Sequence, residues 1–268
     1  MIKAIVIGCA GRMGRRIVNV IEEAGGITVY GGTEQKNSPF AGHDIGAVAG
    51  LSDKGIKISA DLSSIIGGCD VIIDFSVPAA SLDHFLMAQE AGKAIVIGTT
   101  GFTEEHWKTF DSMAKSVRAV IAPNMSVGVN VLFKLVRDAA RIMGQTYDME
   151  IVEMHHNQKM DSPSGTAAKL AEIAAEAVGR DIKKVGVYGR EGIVGKRKPE
   201  EIGVMALRGG DVVGEHTVMF AGTGERVELT HMAWSRDNFA MGATRAAKWI
   251  VGQPNGIYDM QAVLGLNR

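Results

Sequence analysis

Two histidines and a lysine lie close together in the segment EMHHNQKMDSPSGTA, which runs from Glu153 to Ala167. Histidine titrates near neutral pH, so an imidazole such as that of His155 is suited to donating or accepting a proton. Lys159 follows four positions later and adds a fixed positive charge. These residue types at this spacing predict proton transfer beside a bound anion.

The serine, glycine and threonine that end this segment indicate the start of a helix. Ser164 is a suitable N-cap for a helix that continues to about residue 178. The backbone N–H groups of Gly165 and Thr166 would then lie at the helix N-terminus, which favours a carboxylate. Glu153, His155 and His156 end a predicted strand, and because neighbouring strand residues face opposite sides, the two histidines should have different roles unless the strand ends there.

Other interpretations of these residues remain open. A metal site would need a third ligand, and the chain has neither an H-E-x-x-H sequence nor a closely spaced cysteine pair, so we expect no metal. A structural histidine pair and a solvated loop lysine are further alternatives. The combination of two histidines, a lysine and a capped helix within one short segment favours a functional site.

A glycine-rich segment near the N-terminus predicts a dinucleotide cofactor. GCAGRMG, from Gly8 to Gly14, follows the apolar run IKAIVIG and opens a helical stretch over about 13–24. Such a turn presents backbone N–H groups to a pyrophosphate at the positive end of the helix dipole. The spacing is G-x-x-G-x-x-G rather than G-x-G-x-x-G, so the prediction depends on the position between strand and helix. An ordinary turn is the alternative.

The second half of such a fingerprint is an acidic residue that binds a ribose hydroxyl. Glu34 stands 20 residues after Gly14, at the end of a second predicted strand. Lys36 lies two positions further on and could accept a 2′-phosphate, so use of NADH, NADPH or both is expected. GTTG at 98–101 and APNMS at 122–126 also follow predicted strands, where they could line a nicotinamide ribose. Plain turn chemistry is the alternative for these two segments.

The surrounding pattern predicts an α/β protein with two domains. Short apolar runs over 2–8, 27–33, 70–76, 93–101 and 118–124 alternate with helical patterns, which is typical of a doubly wound parallel sheet. After about residue 126 the character changes. A long helix over 127–143 is followed by strands over 148–156, 214–222 and 225–234, the last two joined by the turn GTGE. Their alternation predicts an antiparallel-rich sheet in an α+β domain.

Composition limits the class of protein. The chain has 268 residues, 46% hydrophobic and 22% charged, with a formal net charge of −1, so no broad field attracts nucleic acid or an anionic membrane. No apolar run approaches the roughly 18 residues that span a bilayer. The N-terminal run lacks the features of a signal peptide, and Cys9 and Cys69 are the two cysteines. We therefore expect a cytoplasmic protein with reduced thiols.

Six blocks in this order resemble the 4-hydroxy-tetrahydrodipicolinate reductase (dihydrodipicolinate reductase) family over essentially the whole chain: GCAGRMG, DFSVP, GTTG, APNMSVGVN, EMHHNQKMDSPSGTA and ERVELTHMAWSRDNFAMGA. The resemblance implies a Rossmann domain formed by 1–126 and 236–268, and a substrate-binding and tetramerisation domain formed by 127–235. It also implies a homotetramer that reduces 4-hydroxy-tetrahydrodipicolinate with NADH or NADPH and loss of water, in the diaminopimelate route to lysine.

The resemblance further implies roles for individual residues. His155 would be the proton donor or acceptor and Lys159 a second proton donor, while His156, Gly165 and Thr166 would contact substrate carboxylates. The expected cofactor contacts are Gly8, Cys9, Ala10, Gly11, Arg12 and Met13 at the diphosphate, Glu34 at the adenosine ribose, and Gly98, Thr99, Thr100, Ala122, Pro123, Asn124 and Met125 at the nicotinamide end.

The chain departs from the family pattern at a few positions. Ser162 stands where alanine is usual, Met125 where phenylalanine is frequent, and Gln35 then Lys36 where some members have an arginine. The last departure concerns cofactor preference. Two other functions remain open, because a fold does not fix a function. One is a dinucleotide-sensing protein without turnover, and the other is a reductase of a different small acid.

Overall fold

The computed structural model describes residues 1–266, which divide into two compact units. One unit is Met1–Val127 together with the chain from Arg236 onward, and the other is Gly128–Ser235. In chain order the elements are β1 Ile2–Ile7, α1 Arg12–Glu23, β2 Ile27–Thr33, α2 Ile45–Val48, a short 3-10 helix Ile66–Gly68, β3 Val71–Asp74, α3 Pro78–Glu90, β4 Ala94–Ile97, α4 Glu104–Met113, β5 Arg118–Ile121, α5 Val127–Met143, β6 Asp148–His155, α6 Gly165–Ala177, α7 Ile182–Val185, β7 Gly186–Val187, β8 Ile202–Arg208, β9 Gly214–Ala221, β10 Arg226–Ala233, α8 Asp237–Ile250, β11 Gly256–Tyr258 and α9 Met260–Leu264.

The first unit contains a parallel six-stranded sheet in the order β11-β5-β4-β3-β1-β2. Its central strands VIID and AIVI are buried at every position, because helices cover both faces of a parallel sheet. The Rossmann-type doubly wound fold predicted from the sequence is confirmed. Strands β3, β4 and β5 end before the predicted limits, and the residues that follow form the loops at their carboxyl ends.

The second unit contains a mixed sheet in the order β10-β9-β6-β8-β7. The pairs β10–β9 and β9–β6 are antiparallel, as the alternating sequence predicts, and a hydrogen bond from Gly222 N–H to Glu225 O closes the hairpin turn. Strands β6 and β8 are parallel. Helix α6 packs on β6, β8 and β9, so one face of this sheet is covered.

The structure contains three strands that the sequence pattern does not predict, β7, β8 and β11. Strand β8 follows a polar loop over 188–201, and its first three residues, Ile202 to Val204, are all buried. A buried run of that length lacks a clear period of two, which is why pattern alone does not identify it. The consequence is that residues on β8 could not be placed near β6 from the sequence.

Helix α8 packs on α1 and on β3, β4 and β5 of the first unit. Its fully buried face consists largely of alanines, and Gly242 lies among them. A Cβ built on Gly242 would overlap the carbonyl oxygen of Met125. The missing side chain therefore lets the helix approach the loop that follows β5.

Gly242→Ala tests this close approach. Alanine normally stabilises a helix interior relative to glycine by about 1 kcal/mol. Here the added methyl has no room, and we expect the free energy of unfolding to fall by about 1–3 kcal/mol. Urea denaturation measures the change. Gly252→Ala is the matched control, because nothing lies within 4 Å of the Cβ that it would add. Equal stability of the two variants would contradict the prediction.

Candidate active site

In the first unit, the glycine loop closes tightly onto the start of α1. Gly8 has a φ of +60°, a conformation that L side chains rarely adopt, and its carbonyl accepts the N–H of Gly11 at 2.9 Å. Gly11 is the N-cap of α1. A Cβ on Gly14 would overlap the carbonyl of Gly8, so helix and turn approach more closely than any side chain would allow. The N-cap Gly11 makes no side-chain cap hydrogen bond, and the binding of an anion at this helix N-terminus stays a prediction.

Glu34 lies against the glycine loop. Its Oε1 accepts the N–H of Ala10 at 2.9 Å, while Arg15 Nε donates to the carbonyl of Ala10 at 2.7 Å. The Cys9 side chain is fully buried, and burial together with the nearby Glu34 raises the pKa of its thiol to about 12. Cys9 can therefore meet a ligand only through its backbone. Arg12, the first residue of α1, is exposed.

A cavity of about 260 Å³ lies at the carboxyl ends of the parallel strands. Its position agrees with the rule that ligands bind at those ends in open α/β sheets. The residues that line it are Met13, Phe75, Gly98, Pro123, Asn124, Met125, Arg236 and Phe239. Five of these were predicted to contact the cofactor; Phe75, Arg236 and Phe239 were not.

Buried hydroxyls connect the loops beside this cavity. Thr99 Oγ1 is 2.7 Å from Ser81 Oγ, which is 3.2 Å from Ser76 Oγ. The fully buried Asp74 accepts the N–H of Ser76 at 2.7 Å and lies 2.8 Å from Nδ1 of His84. The buried Thr99 hydroxyl therefore bonds to another side chain of the protein, whereas the neighbouring Thr100 is exposed. Ala122 is buried, and its N–H donates to a carbonyl of β4.

In the second unit, strand register brings together side chains that are far apart in sequence. On the helix-covered face, Glu153 of β6 lies beside His216 of β9. His155, two residues along the same strand, pairs with Arg208 of β8. Residues two apart on a strand share a face, so these four side chains form one cluster.

Glu153 is the centre of the cluster and is fully buried. Arg208 binds both of its oxygens, with Nη1 to Oε2 at 2.8 Å and Nη2 to Oε1 at 3.0 Å. Oε2 also lies 2.6 Å from Nδ1 of His155, and Oε1 accepts the N–H of Ser164 at 2.9 Å. Burial raises the pKa of Glu153, but the donors outweigh it and hold that pKa below its usual value.

His155 is the last residue of β6, and its side chain is nearly buried. Burial lowers its pKa, and the positive charges of Lys159 and Arg208 act in the same direction, while Glu153 opposes them; the pKa is lowered overall. The His216 ring packs against it edge to face at 5.1 Å between centroids. The ring nitrogen that faces the Glu153 carboxylate is Nδ1, and Nε2 lies on the opposite edge of the ring.

Lys159 and His156 lie on the turn after β6. Lys159 Nζ forms a 2.8 Å ion pair with Asp161, and this bond lowers the pKa of Asp161. His156 donates its N–H to the carbonyl of Val212 and leaves the face that His155 occupies. Strand β6 ends at His155, so the alternation of strand faces does not extend to His156, and different roles for the two histidines stay a prediction.

Helix α6 begins at Gly165 with the expected cap. Ser164 Oγ accepts the N–H of Ala167 at 3.1 Å and lies 3.0 Å from Nε2 of His216. Nothing lies within 4 Å of the position that a Cβ on Gly165 would occupy, so the space beside the first turn is open. Thr166 is the next helical residue. This end of α6, Lys159 and the Nε2 side of His155 would suit a small carboxylate.

The sequence analysis missed Arg208 and His216 as members of this cluster. Arg208 lies on β8, which the pattern did not identify, and His216 lies on a predicted strand whose pairing with β6 was not predicted. Alternation along β9 places His216 on the covered face, which is the one local signal for it. Arg236 and Phe239 belong to a segment of the family resemblance for which no role was assigned.

Metal-binding clusters and membrane-spanning helices are two further features that bear on function. Within residues 1–266, no cluster of three or more histidine, cysteine, aspartate and glutamate side chains has the arrangement to hold a metal ion. Over the same range, no helix is long and apolar enough to cross a membrane.

A doubly wound parallel sheet with a glycine-rich turn before its first helix defines the class of Rossmann-type dinucleotide-binding proteins. Residues 2–125 match the family described as "Dihydrodipicolinate reductase, N-terminus", and residues 128–264 match "Dihydrodipicolinate reductase, C-terminus". The chain belongs to the dihydrodipicolinate reductase family.

Similar proteins agree over the full length. The chain is 54% identical to "4-hydroxy-tetrahydrodipicolinate reductase" of Syntrophus aciditrophicus, over 99% of both chains. It is also 54% identical to the protein of that name from Trichlorobacter lovleyi, over 99% of this chain and 100% of the other. A solved structure, "Dipicolinate bound Dihydrodipicolinate reductase from Paenisporosarcina sp. TG-14", shares the fold with a TM-score of 0.77 at 24% identity, over 97% of each chain.

Ser164→Ala tests the cap of α6. The change removes the acceptor for the Ala167 N–H, so we expect the free energy of unfolding to fall by about 1 kcal/mol. Faster amide hydrogen exchange at Ala167 would locate the loss. Ser112→Ala is the control, because that exposed hydroxyl only donates to a carbonyl within its own helix. If both variants lose the same stability, the cap is not the cause.

Proposed function

We propose that this chain is a 4-hydroxy-tetrahydrodipicolinate reductase that uses NADH or NADPH. The reaction reduces (2S,4S)-4-hydroxy-2,3,4,5-tetrahydrodipicolinate to 2,3,4,5-tetrahydrodipicolinate with loss of water, in lysine biosynthesis by the diaminopimelate route. The observation that carries the proposal is the nearly buried His155, oriented by Glu153 and placed near the open first turn of α6. Its occurrence in a chain 54% identical to named reductases supports this substrate.

The first unit fits a dinucleotide. The turn formed by Gly8, Gly11 and Gly14 would hold the diphosphate through backbone N–H groups, and the missing side chain of Gly14 lets α1 begin directly against the turn. Glu34 would bind the adenosine ribose, and the 260 Å³ cavity would take the nicotinamide end. When bound, NAD(P)H supplies the hydride that reduces C4 of the substrate.

The second unit fits the substrate and its protons. The N-terminal turn at Gly165 and Thr166, with His156, would hold the carboxylates of a cyclic dicarboxylate. His155 would exchange a proton through Nε2, and Lys159 would act as the second proton donor. Protonation of the carbon adjacent to C4 completes the reduction. Fixed positive groups positioned at the carboxylates lower the barrier by orientation and electrostatics.

The protein is proposed to act as a cytoplasmic homotetramer. The face of the second sheet opposite α6 carries a row of paired residues, Leu207, Met154, Glu215 and Met232, of which Leu207 and Met232 are exposed. The exposed apolar side chains of Leu207 and Met232 support burial of this face against another subunit. Within the described chain both cysteines are free and buried, which agrees with a reducing compartment.

A sensor that binds dinucleotides without turnover is the alternative function. It would need the glycine loop of the first unit but not the proton-transfer cluster of the second. The ordered contacts among Glu153, His155 and Arg208 favour an enzyme. Buried ion pairs add little to stability, and buried ionisable groups with perturbed pKa values cluster at functional sites.

His155→Ala and Lys159→Ala test the proposed reaction. The substrate would be generated in the cuvette by a synthase from pyruvate and aspartate semialdehyde, and oxidation of NADH or NADPH followed by absorbance. We expect each variant to lower kcat by about 10²–10⁴-fold, the range of general acid–base catalysis. Lys169→Ala, an exposed lysine paired with Glu172, is the control and should keep full activity. Cofactor binding without any oxidation by the wild type would favour the sensor.

Glu34→Ala tests the cofactor assignment. The carboxylate would accept hydrogen bonds from the ribose of NADH and repel the 2′-phosphate of NADPH. We expect KM for NADH to rise about tenfold, equivalent to the roughly 1.4 kcal/mol of one hydrogen bond to a charged group, while KM for NADPH stays level or falls. Glu23→Ala on α1 is the control. Parallel increases for both cofactors would argue that Glu34 only supports the loop.

A further inference from the structure

We propose that Glu153 is a positioning residue for the proposed reaction, whose Arg208-clamped carboxylate holds His155 with its proton on Nδ1 and Nε2 left for proton transfer. The inference rests on the proposed role of His155. It assigns functions to Glu153 and Arg208 that neither the motif nor the family resemblance supplied.

The hydrogen-bond count fixes the direction of each bond. A carboxylate has about four acceptor positions, and Glu153 faces four donors: two from Arg208, one from Ser164 N–H and one from His155. Arginine and the backbone N–H can only donate. The 2.6 Å contact with His155 is therefore an Nδ1–H donating to Oε2, and the opposite tautomer would leave a lone pair facing a buried negative charge.

The clamp on Glu153 is itself anchored. Arg208 donates from Nη2 to the carbonyl of Asp161 at 2.7 Å and from Nη1 to its neighbour Leu207 at 2.6 Å. The guanidinium thus connects β6, β8 and the turn that carries Lys159. Planar bidentate pairing of this kind specifies orientation as well as charge, which a lysine would not reproduce.

Gly214 leaves the other side of the imidazole accessible. A Cβ at that position would lie 2.9 Å from Nε2 of His155, so any larger residue would cover the nitrogen. His216 packs on the ring from the neighbouring strand and limits its rotation. One edge of the His155 ring is therefore held and the other is kept open.

The charged and titratable groups around His155 have opposing effects. Glu153 favours the imidazolium, whereas burial, Lys159 and Arg208 disfavour it. His216, on the facing strand, is uncharged near neutral pH because burial, followed by the charge of His155, lowers its pKa to about 3. Removal of the Glu153 carboxylate should lower the pKa of His155 further. In the pH profile of kcat, the fall in activity that accompanies loss of the proton from His155 would then occur at lower pH.

Glu153→Gln with solid-state ¹⁵N NMR of histidine-labelled protein is the direct test. The protein has seven histidines, and the His155 signals are those lost in His155→Gln. We expect the wild type to show protonated Nδ1 and unprotonated Nε2 above the pKa. Glu153→Gln should show a mixture of tautomers and a lower pKa. A wild-type Nε2–H tautomer, or an unchanged tautomer and pKa in the variant, would overturn the proposal.

Kinetics provide the second measurement. Glu153→Gln should lower kcat about 10²-fold with little change in KM, because the carboxylate orients His155 without contacting substrate. Glu150→Gln is the matched control, since Glu150 lies on the same strand and, like Glu153, pairs with arginine, in its case Arg190 and Arg197. It should leave kcat and the His155 tautomer unchanged. An equal loss in both variants would show a merely structural role.

Glu153→Asp covers the case in which the glutamine variant does not fold. It retains the charge but is one methylene shorter, so we expect kcat between those of wild type and Glu153→Gln and an Nδ1–H tautomer. Loss of that tautomer despite the retained carboxylate would contradict the proposal. The NMR measurement needs no substrate, so it decides the link between Glu153 and His155 even if the wild type fails to reduce the proposed substrate.

Discussion

The ionised carboxylate of Glu153 sets the strongest constraint on the second unit. Burying a charge without partners costs several kcal/mol, and this side chain is fully buried. It is compensated by Arg208 from β8, His155 from β6 and the N–H of Ser164 at the start of α6. If the strands shifted by one residue, the carboxylate would turn to the opposite face and lose all three partners. The register of the sheet and the geometry of the site therefore depend on the same contacts.

In the first unit, close approaches between backbone segments set the geometry of the loops. Gly14 lets α1 begin directly over Gly8, and Gly242 lets α8 lie on the carbonyl of Met125. Both approaches occur at the carboxyl ends of the parallel strands, where the functional loops lie. The buried hydroxyls of Ser81 and Thr99 then join α3 to the loop that follows β4. Close backbone packing and internal hydrogen bonds thus hold in place the segments whose side chains line the cavity.

What the sequence predicted here was local, and what it missed was long-range. The glycine loop, the Ser164 cap and the hairpin after β9 each depend on residues a few positions apart, and each is present. Arg208 lies 55 positions from Glu153, on a strand whose buried first residues show no clear period of two. Arg236 and Phe239 reach the cavity because the chain returns to the first unit after Ser235, a return that the family resemblance implied without giving these two residues a role. Pairing between distant strands is a property of the assembled sheet, so a single sequence did not reveal it.

The edge-to-face pair of His155 and His216 shows how different surroundings give two identical side chains different properties. Both rings lie on the covered face, 5.1 Å apart between centroids. Nε2 of His216 lies 3.0 Å from the Ser164 hydroxyl, and burial, which outweighs the attraction of Glu153, lowers the pKa of His216 so that the ring stays neutral. His155 has Glu153 to stabilise its imidazolium against burial and nearby cations. A neutral His216 adds no positive charge that would repel a proton from His155. The site therefore retains one ring that can change its charge, one ring that packs against it, and one fixed ammonium group at Lys159.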